Sequence, residues 1–559
     1  MTDTTPAPAP PPSVDEMTGG EAVARTLERL GVTRVFGIVS VHNLPTYRAL
    51  AASPLIDVIA CRHEQFAVHA ADGHARASGE LGVALTSTGP GTTNAMSGLY
   101  EASYGSSPVL LVTGQTETSF YGKGKGFVHE HENQLPMLRT VTRRAETIWR
   151  TEDISRTIAS VADDIRRGRP QPGAVELPID QQYRRSDVEL FGSPTVEPIV
   201  TDRAAVDDAI ALLDGAERPL IWAGGGVVSA DASAELLALA TRLGAPVVTT
   251  LEGRGAIPED HALALGPRTE RPDVADIIAE ADVVLAVGTR FQNYSTRVWQ
   301  LPLPGKLIHL DADQAVIGRN YAADVAIVGD ARVGLALLAE GVAERTPDSG
   351  FLDRSSKSVT ADLERSYDEI GPDHRALAEI TRRLLPRDAI VARDSTVPVY
   401  LWGNRVLPIL APRTSIRPSS GSIGPGIGLA VGAAAGTGRR TLLMVGDGGF
   451  QLGLGELATV AQYRLPIIVC VFNDRGYGVL RAIEDGVMGE RFGVDLHTPD
   501  FALLARAMGI PSETVEGVDA FEAAFAAAVD RDGPTLLDID MTALAPMTFR
   551  LPPHQRRQA

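Results

Sequence analysis

The sequence predicts an α/β protein of three doubly wound parallel-sheet domains, preceded by a disordered Pro/Ala-rich tail. Three observations lead to this fold class. The 559 residues are enough for about three domains of ordinary size. Short apolar runs rich in β-branched residues alternate with segments of helical periodicity, as in parallel sheets covered by helices. Two polar stretches, 183–199 and 346–357, interrupt this alternation and are expected to be linkers.

The composition is ordinary for a globular protein and disfavours two classes of partner. Apolar residues make up 44% and charged residues 22%. Acidic residues outnumber basic ones 70 to 52, and the resulting net charge of −18 disfavours nucleic acid and anionic membranes as partners. We find no apolar run long enough to cross a membrane and no signal-peptide pattern. Cys61 and Cys470 lie in apolar runs, which indicates no disulfide framework and favours a cytoplasmic location.

The first part of the chain is expected to hold a tail, 1–15, and a domain, 16–185. The tail is rich in proline and alanine and is expected to be disordered. In the domain, the patterns predict helices over 20–30 and from about Thr93, and strands over 34–38, 55–60, 82–86 and 109–113.

The two following domains are expected at 200–345 and 370–548. The middle domain has predicted strands at 220–223, 246–249, 283–287 and 306–310. Its glycine run 224–226 lacks the spacing of a dinucleotide fingerprint.

The strongest chemical pattern lies in the stretch 441–475. The apolar run 441–445 breaks at Gly446-Asp447-Gly448-Gly449, a helix-like segment follows, and the β-branched run 466–472 ends at Asn473. Asp447 and Asn473 are therefore expected just past the C-terminal ends of two strands, where ligands bind in open α/β sheets. A carboxylate and an amide oxygen suit Mg²⁺, and glycines before a helix suit a diphosphate. Ordinary turn chemistry is the alternative.

This pattern resembles the metal–diphosphate motif of thiamine diphosphate (ThDP) enzymes. From about Met17 to Thr548 the chain is similar to the superfamily of acetolactate synthase, pyruvate decarboxylase and benzoylformate decarboxylase. The segments 41–50 and 122–138 resemble a subgroup that includes 5-guanidino-2-oxopentanoate decarboxylase. The middle domain of this superfamily sometimes binds FAD, but the stretch 268–272 is short and charged where a flavin contact would lie, so we do not expect FAD. The three domains would then be the pyrimidine-binding, middle and diphosphate-binding domains.

The resemblance implies specific contacts with ThDP and Mg²⁺. Asp447, Asn473 and the main-chain carbonyl of Arg475 would hold the metal. Ile423 would wedge under the bent cofactor, with the Gly421 carbonyl accepting from its amino group; an ordinary buried Ile in a glycine-rich turn is the alternative. Thr396 would contact diphosphate or substrate, unless it only forms a turn. The implied cofactor-binding residues are Gly421, Ser422, Ile423, Gly446, Asp447, Gly448, Gly449, Asn473 and Thr396.

Glu64, in the string His63-Glu64-Gln65, matches the glutamate that exchanges a proton with the pyrimidine ring in this superfamily. Its structural alternative is a carboxylate favoured by the dipole of a helix N-terminus. Further catalytic candidates are His42, Gln115, His129 and Glu130. His42 could instead be a surface histidine. Glu130 could meet a cationic substrate end or belong to a solvated charge run.

The implied reaction is decarboxylation of a 2-oxo acid to an enamine, followed by protonation to an aldehyde. One alternative is an acetolactate synthase-like carboligase that forms an acyloin or 2-acetohydroxy acid. The other is an inactive, cofactor-binding regulatory protein. The resemblance also implies a homodimer or homotetramer with the active site at the dimer interface.

Overall fold

The computed structural model describes residues 14–199, 201–303, 305–345 and 347–549. The chain divides into two compact units, 1–197 and 198–559. Within the described residues, the first unit holds one six-stranded sheet and the second holds two, and every strand pairing in these sheets is parallel. The predicted three-sheet α/β fold is confirmed. No helix in the described ranges combines the length and hydropathy needed to cross a membrane.

The first unit is a sheet of strand order β3-β2-β4-β5-β7-β6 with helices on both faces. Its elements are β1 (Val14–Thr18), α1 (Gly19–Arg29), β2 (Arg34–Gly37), α2 (Leu44–Ala51), β3 (Asp57–Ala60), α3 (Glu64–Ser78), β4 (Gly82–Thr86), α4 (Pro90–Gly105), β5 (Val109–Gln115), α5 (Gln134–Arg139), β6 (Arg144–Thr147), α6 (Ile154–Arg166), β7 (Gly173–Pro178), α7 (Ile179–Tyr183) and β8 (Arg185–Glu189). Strands β4, β5 and β7 are buried throughout, as their unbroken apolar runs predict.

Strand β8 lies in the stretch 183–199 that the sequence analysis assigns to a linker, and this part of the prediction is wrong. The strand pairs antiparallel with β1. It has a polar sequence because it belongs to a two-stranded ribbon in which Val188 is its one fully buried side chain. β1 begins at Val14, inside the stretch 1–15 predicted to be a tail, and residues 1–13 lie outside the described residues.

The middle sheet has the order β11-β10-β9-β12-β13-β14. Its elements are α8 (Arg203–Gly215), β9 (Pro219–Ala223), α9 (Gly225–Ser229), α10 (Ser233–Leu243), β10 (Val247–Thr249), β11 (Ala264–Gly266), α11 (Pro272–Glu280), β12 (Val283–Val287), β13 (Lys306–Asp311), β14 (Val325–Val328) and α12 (Ala331–Gly341). The glycine run has a packing role here: a Cβ on Gly224 would stand 2.1 Å from the carbonyl oxygen of Gly288.

The third sheet has the order β16-β15-β17-β18-β20-β19. Its elements are α13 (Ser349–Leu384), β15 (Ile390–Arg393), β16 (Ser415–Ile416), α14 (Gly426–Thr437), β17 (Thr441–Gly446), α15 (Asp447–Gln451), α16 (Glu456–Gln462), β18 (Ile467–Asn473), α17 (Gly478–Val487), α18 (Phe501–Ala507), β19 (Ser512–Val515), α19 (Val518–Asp530) and β20 (Thr535–Asp540). The strand order reverses between β15 and β17, and a crevice for ligands forms at such a point.

Helix α13 replaces most of the linker predicted at 346–357, so that prediction is wrong as well. The side chain of Asp348 caps the helix by accepting hydrogen bonds from the backbone N–H groups of Gly350 and Phe351. Phe351 is buried in an apolar cluster with Trp222. A polar helix held by one cap and one apolar side chain in its first turn has little periodicity to detect.

The charged stretch 268–272 also has internal partners in this unit. Arg268 and Arg271 both form ion pairs with the buried carboxylate of Asp362 on α13, at 3.1 and 2.5 Å, and Arg271 also pairs with Glu369. α13 itself is interrupted at Gly371, whose φ of 75° is not helical, directly before Pro372.

Candidate active site

The two central strands of the third sheet end side by side at the candidate metal site. β17 and β18 are in register, with Gly446 beside Phe472. Asp447 follows the end of β17, as predicted, whereas Asn473 is the last residue of β18, one position earlier than the sequence predicts. The predicted order of strand, turn, helix and strand is present. A second detail differs: the helix begins at Asp447 itself, and it is two short helices, α15 and α16, instead of one.

Asp447 is a buried carboxylate that forms no ion pair with the described residues. It is 1% exposed, and neither of its oxygens makes a hydrogen bond of normal geometry with the described residues. Burial raises its pKa to about 7, and the nearby carboxylate of Asp474 contributes to this shift. Such a group is costly unless a cation neutralises it, so its environment fits a bound metal ion.

Asn473 and Arg475 supply the other two oxygens that the resemblance implies. The Asn473 side chain donates through Nδ2 to Asp538 at 3.1 Å, which leaves Oδ1 as the acceptor, and Oδ1 accepts from the Arg475 backbone N–H at 3.2 Å. Arg475 has a φ of 65°, and the Arg481 guanidinium donates to its carbonyl and to that of Asp474. A carboxylate, an amide oxygen and a carbonyl form a hard donor set of the kind Mg²⁺ prefers.

The loop that carries Ile423 is pinned to the end of β15 by Asp394. This buried carboxylate accepts from the backbone N–H groups of Gly424 and Gly426 at 2.9 and 2.7 Å, and from that of Ser395. The loop needs glycine at Gly421 and Gly424, where φ is 83° and 103°. Asp394 precedes the predicted contact Thr396, and its role as an anchor has no local sequence signal.

The predicted cofactor residues of this unit come together at the reversal point of the sheet. Ile423 is 36% exposed, and its Cγ2 lies 3.2 Å from the position of a Cβ on Gly449. Thr396 Oγ1 lies 2.9 Å from the corresponding position on Gly446. Ser422 accepts from Ser395 Oγ through its carbonyl at 3.2 Å. The loop 421–424, the end of β15 and the glycine turn therefore form one cluster.

Glu64 is the first residue of α3 in the first unit and is half-buried. Its Oε2 accepts from Asn94 Nδ2 at 3.0 Å, and its Oε1 lies 3.3 Å from the position of a Cβ on Gly91. Both neighbours lie among the first five residues of α4. The turn between β4 and α4 therefore sets the position of the Glu64 carboxylate.

His42 and His129 pack together at the reversal point of the first sheet, between β2 and β4. Their ring centroids are 4.9 Å apart. His42 is 5% exposed, and burial lowers its pKa, with a smaller contribution from His129. His129 has a φ of 64°, and its carbonyl oxygen lies 2.5 Å from the position of a Cβ on Gly89, so only glycine fits there.

Gln115 and Glu130 have partners within the protein. Gln115 is fully buried; its Nε2 donates to Glu176 at 3.1 Å and its Oε1 accepts from the Thr116 backbone at 2.8 Å. The Glu130 carboxylate accepts three backbone N–H bonds from its own loop, donated by residues Gly124, Gly126 and Phe127. Loop tethering is a role for Glu130 that the charge pattern of the sequence does not indicate.

Comparison with known proteins covers all three sheets. Family models described as "Thiamine pyrophosphate enzyme" match as the N-terminal TPP binding domain over 17–137, the central domain over 206–338 and the C-terminal TPP binding domain over 398–539. A probable acetolactate synthase large subunit of Methanocaldococcus jannaschii is 34% identical over 94% of this chain and 92% of its own. A probable 2-ketoarginine decarboxylase of Pseudomonas aeruginosa is 34% identical over 94% of both chains.

Proposed function

Because the chain belongs to the thiamine pyrophosphate enzyme family, we propose that it binds ThDP with Mg²⁺ and decarboxylates a 2-oxo acid to an aldehyde. The observation that carries the metal part of this proposal is Asp447, a buried carboxylate whose two oxygens have no hydrogen-bond partner among the described residues. A divalent cation bridging to a diphosphate would neutralise it.

Bound ThDP supplies a nucleophilic thiazolium carbon and accepts the electron pair that the departing CO₂ leaves behind. Asp447, Asn473 Oδ1 and the Arg475 carbonyl would hold Mg²⁺, and Gly448 and Gly449 would let the backbone approach the diphosphate. Ile423 would support the bent cofactor from the loop that Asp394 anchors.

The first unit would provide the proton chemistry. Glu64 would hold a proton at N1′ of the pyrimidine ring, in a position set by Asn94. His42 Nδ1 is buried and has no hydrogen-bond partner among the described residues, so it is the candidate atom for proton delivery to the substrate carbon. Because burial lowers the pKa of His42, its protonated form would be a stronger acid than an ordinary imidazolium, and the adjacent His129 would pass a proton to it from solvent.

The second candidate is a carboligase that joins the same activated group to another carbonyl compound. The observation in its favour is the acetolactate synthase relative from Methanocaldococcus jannaschii, which matches this chain at the same 34% identity as the decarboxylase relative. We favour the decarboxylase because a histidine pair at the sheet edge offers a proton donor, and protonation distinguishes that fate from ligation.

We also propose a homodimer or homotetramer in which Glu64 of one subunit serves the Asp447 cluster of another, in the cytoplasm. The assembly rests on the family resemblance. The compartment rests on Cys61 and Cys470, both buried and free. Sedimentation of the purified protein should give a mass of two or four chains, and a monomer that turns over substrate would contradict the shared site.

The test of the reaction is a panel of 2-oxo acids with apolar, aromatic, acidic and guanidinium side chains. Purified protein with ThDP and Mg²⁺ should release CO₂ and an equimolar aldehyde from at least one of them. Reactions without ThDP are the control. CO₂ release with an acyloin or acetohydroxy acid as the product would favour the carboligase, and absence of CO₂ from every substrate would refute both.

A further inference from the structure

The carboxylate of Glu176 is fully buried on β7, a strand that lies between β5 and β6 in the sheet of the first unit. Among the described residues it forms no ion pair. A charged group in the middle of an apolar sheet is costly, and an apolar residue of the same size would pack as well. Its presence therefore calls for a reason beyond packing.

Four neutral donors from four different segments satisfy this carboxylate. Oε1 accepts from Gln115 Nε2 on β5 at 3.1 Å and from Gln134 Nε2 on α5 at 2.8 Å. Oε2 accepts from Tyr121 Oη at 3.1 Å and from Thr147 Oγ1 on β6 at 2.5 Å. Burial and the nearby carboxylate raise the pKa of Tyr121 to about 12, so its hydroxyl remains a donor at physiological pH.

Three of these donors lie in or directly beside the loop that carries His129: Gln115 before it, Tyr121 within it and Gln134 after it. We call residues 116–133 the tethered loop, since Tyr121 lies near its start, Gln134 directly follows it, and Glu130 binds its backbone from within. Glu176 binds both residues that flank the loop, Gln115 and Gln134, through Oε1, and it binds Tyr121 within the loop through Oε2. Loss of the carboxylate would free both ends at once.

Gln134 also binds the turn before α4, and so connects Glu176 to that turn. Its Oε1 accepts from the Gly89 backbone N–H at 2.8 Å and from Thr88 Oγ1 at 3.0 Å. That turn contacts the His129 carbonyl at Gly89, and the following helical turn contacts the Glu64 carboxylate at Gly91 and Asn94. The same backbone segment is thus in contact with both proposed proton-transfer groups of the first unit.

We propose that Glu176 is a positioning residue that, through Gln134, fixes the Gly89 turn and the tethered loop, so that His129 packs on His42 and α4 keeps its contacts with the Glu64 carboxylate. This inference rests on the proposed function. It assigns Glu176 no contact with substrate or cofactor. Its effect on turnover would come entirely from the placement of other groups.

The experiment compares three variants of the full chain. Glu176→Met removes both acceptors at similar volume. Glu176→Gln keeps one oxygen for the two carboxamides, while its NH₂ can donate to the Tyr121 and Thr147 hydroxyls. Thr151→Val is the stability control, because it removes another fully buried side-chain hydrogen bond of this unit, to Gln181, without touching the network.

In hydrogen–deuterium exchange, Glu176→Met should raise exchange about tenfold in peptides covering 87–94 and 116–133, relative to the remaining peptides of the first unit. With ThDP, Mg²⁺ and the best 2-oxo acid, kcat should fall about 100-fold while the affinity for ThDP changes less than about threefold. Glu176→Gln should restore kcat to within about fivefold of the wild-type value. Thr151→Val should leave both measurements near wild type.

The positioning role would be overturned if Glu176→Met showed wild-type hydrogen–deuterium exchange in 87–94 and 116–133. It would also be overturned if Thr151→Val changed exchange and kcat as much as Glu176→Met does. A Glu176→Gln variant with native loop exchange and the kcat of Glu176→Met would overturn it too, because the charge itself would then act. If the wild-type protein processes no 2-oxo acid, the proposed function fails, whereas the exchange measurement still tests the tethered loop by itself.

Discussion

The Asp447 side chain lowers the stability of the metal-free chain and favours the binding of a metal ion. Its carboxylate is buried, lies near that of Asp474 and has a pKa raised to about 7, which makes it a destabilising group in the metal-free chain. The same features make the binding free energy of a cation at this carboxylate more favourable. Stability and metal affinity should therefore respond oppositely to its removal.

We expect Asp447→Asn to bind Mg²⁺ at least about 100-fold more weakly, because the anionic ligand is lost. At pH 8 without metal, the same variant should gain about 1–2 kcal/mol in free energy of unfolding, since no buried charge remains. Calorimetric titration and urea unfolding measure the two quantities. Asp485→Asn, at an exposed ion pair with Arg491, is the control that should change neither. A destabilised apo Asp447→Asn variant would contradict this account.

Glu64→Gln should lower kcat by about 10²–10⁴-fold, because an amide cannot exchange a proton with the cofactor. Its hydrogen bond with Asn94 can persist, so dissociation constants for ThDP and Mg²⁺ should stay within about threefold. Steady-state kinetics and fluorescence titration with ThDP provide the readouts. Glu28→Gln, the control, makes the same chemical change elsewhere in the unit and should leave kcat and both dissociation constants unchanged. Wild-type turnover by Glu64→Gln would remove Glu64 from the mechanism.

Residue roles were predictable from the sequence where consecutive residues encode them. Asp447 and Asn473 follow apolar runs, and Glu64 lies in a short motif, so their strand-end and helix-start positions could be read directly. Glu176 could not be identified, because its partners lie 29 to 61 residues away and meet it only in the folded sheet. The contacts of Asp394 and Glu130 could not be predicted for a related reason: both side chains bind backbone N–H groups, which no side-chain pattern reveals.

At the scale of elements, prediction succeeded for buried strands and failed for polar ones. β12 and β17 are apolar on both faces and were located to within one residue. β8 and the start of α13 were assigned to linkers because each buries few side chains. The position of β8 depends on pairing with the sequence-distant strand β1, and that of α13 on its cap, and neither contact produces a hydropathy pattern.

The cap of α13 gives a direct test of this explanation. Asp348→Ala should lower the free energy of unfolding by about 1 kcal/mol, since the N–H groups of Gly350 and Phe351 lose their acceptor. Asp353→Ala, on the same helix and paired only with Lys357 at an exposed position, should cost about 0.3 kcal/mol. Urea unfolding of both variants measures the difference. Equal losses would mean that the cap does not hold this helix in place.

For the whole molecule, two buried histidines, one in each unit, couple stability to pH. Burial lowers the pKa of both His69 and His374 to about 4, from an ordinary 6.5. Both are neutral in folded and unfolded chains above pH 6.5. As pH falls from 6.5 towards 4, these histidines become protonated in the unfolded chain but stay neutral in the folded chain. Each histidine then removes up to about 3 kcal/mol of stability.

We therefore expect the first unit to lose stability between pH 8 and pH 5, and His69→Gln to reduce that loss by about 2 kcal/mol. Urea unfolding of wild type and variant at both pH values gives the comparison. His131→Gln, in the tethered loop, is the control. A pH dependence that His69→Gln leaves unaltered would assign the acid sensitivity to other groups.

The close approach of Gly224 and Gly226 to Gly288 has an evolutionary consequence. A methyl group at Gly224 would overlap the Gly288 carbonyl, and one at Gly226 would stand 2.5 Å from the Gly288 Cα. In a saturation-mutagenesis experiment, variants with any other residue at these three positions should therefore be strongly depleted after selection for function. Such invariance would resemble the signature of a nucleotide pocket, although crowding between two loops is enough to produce it.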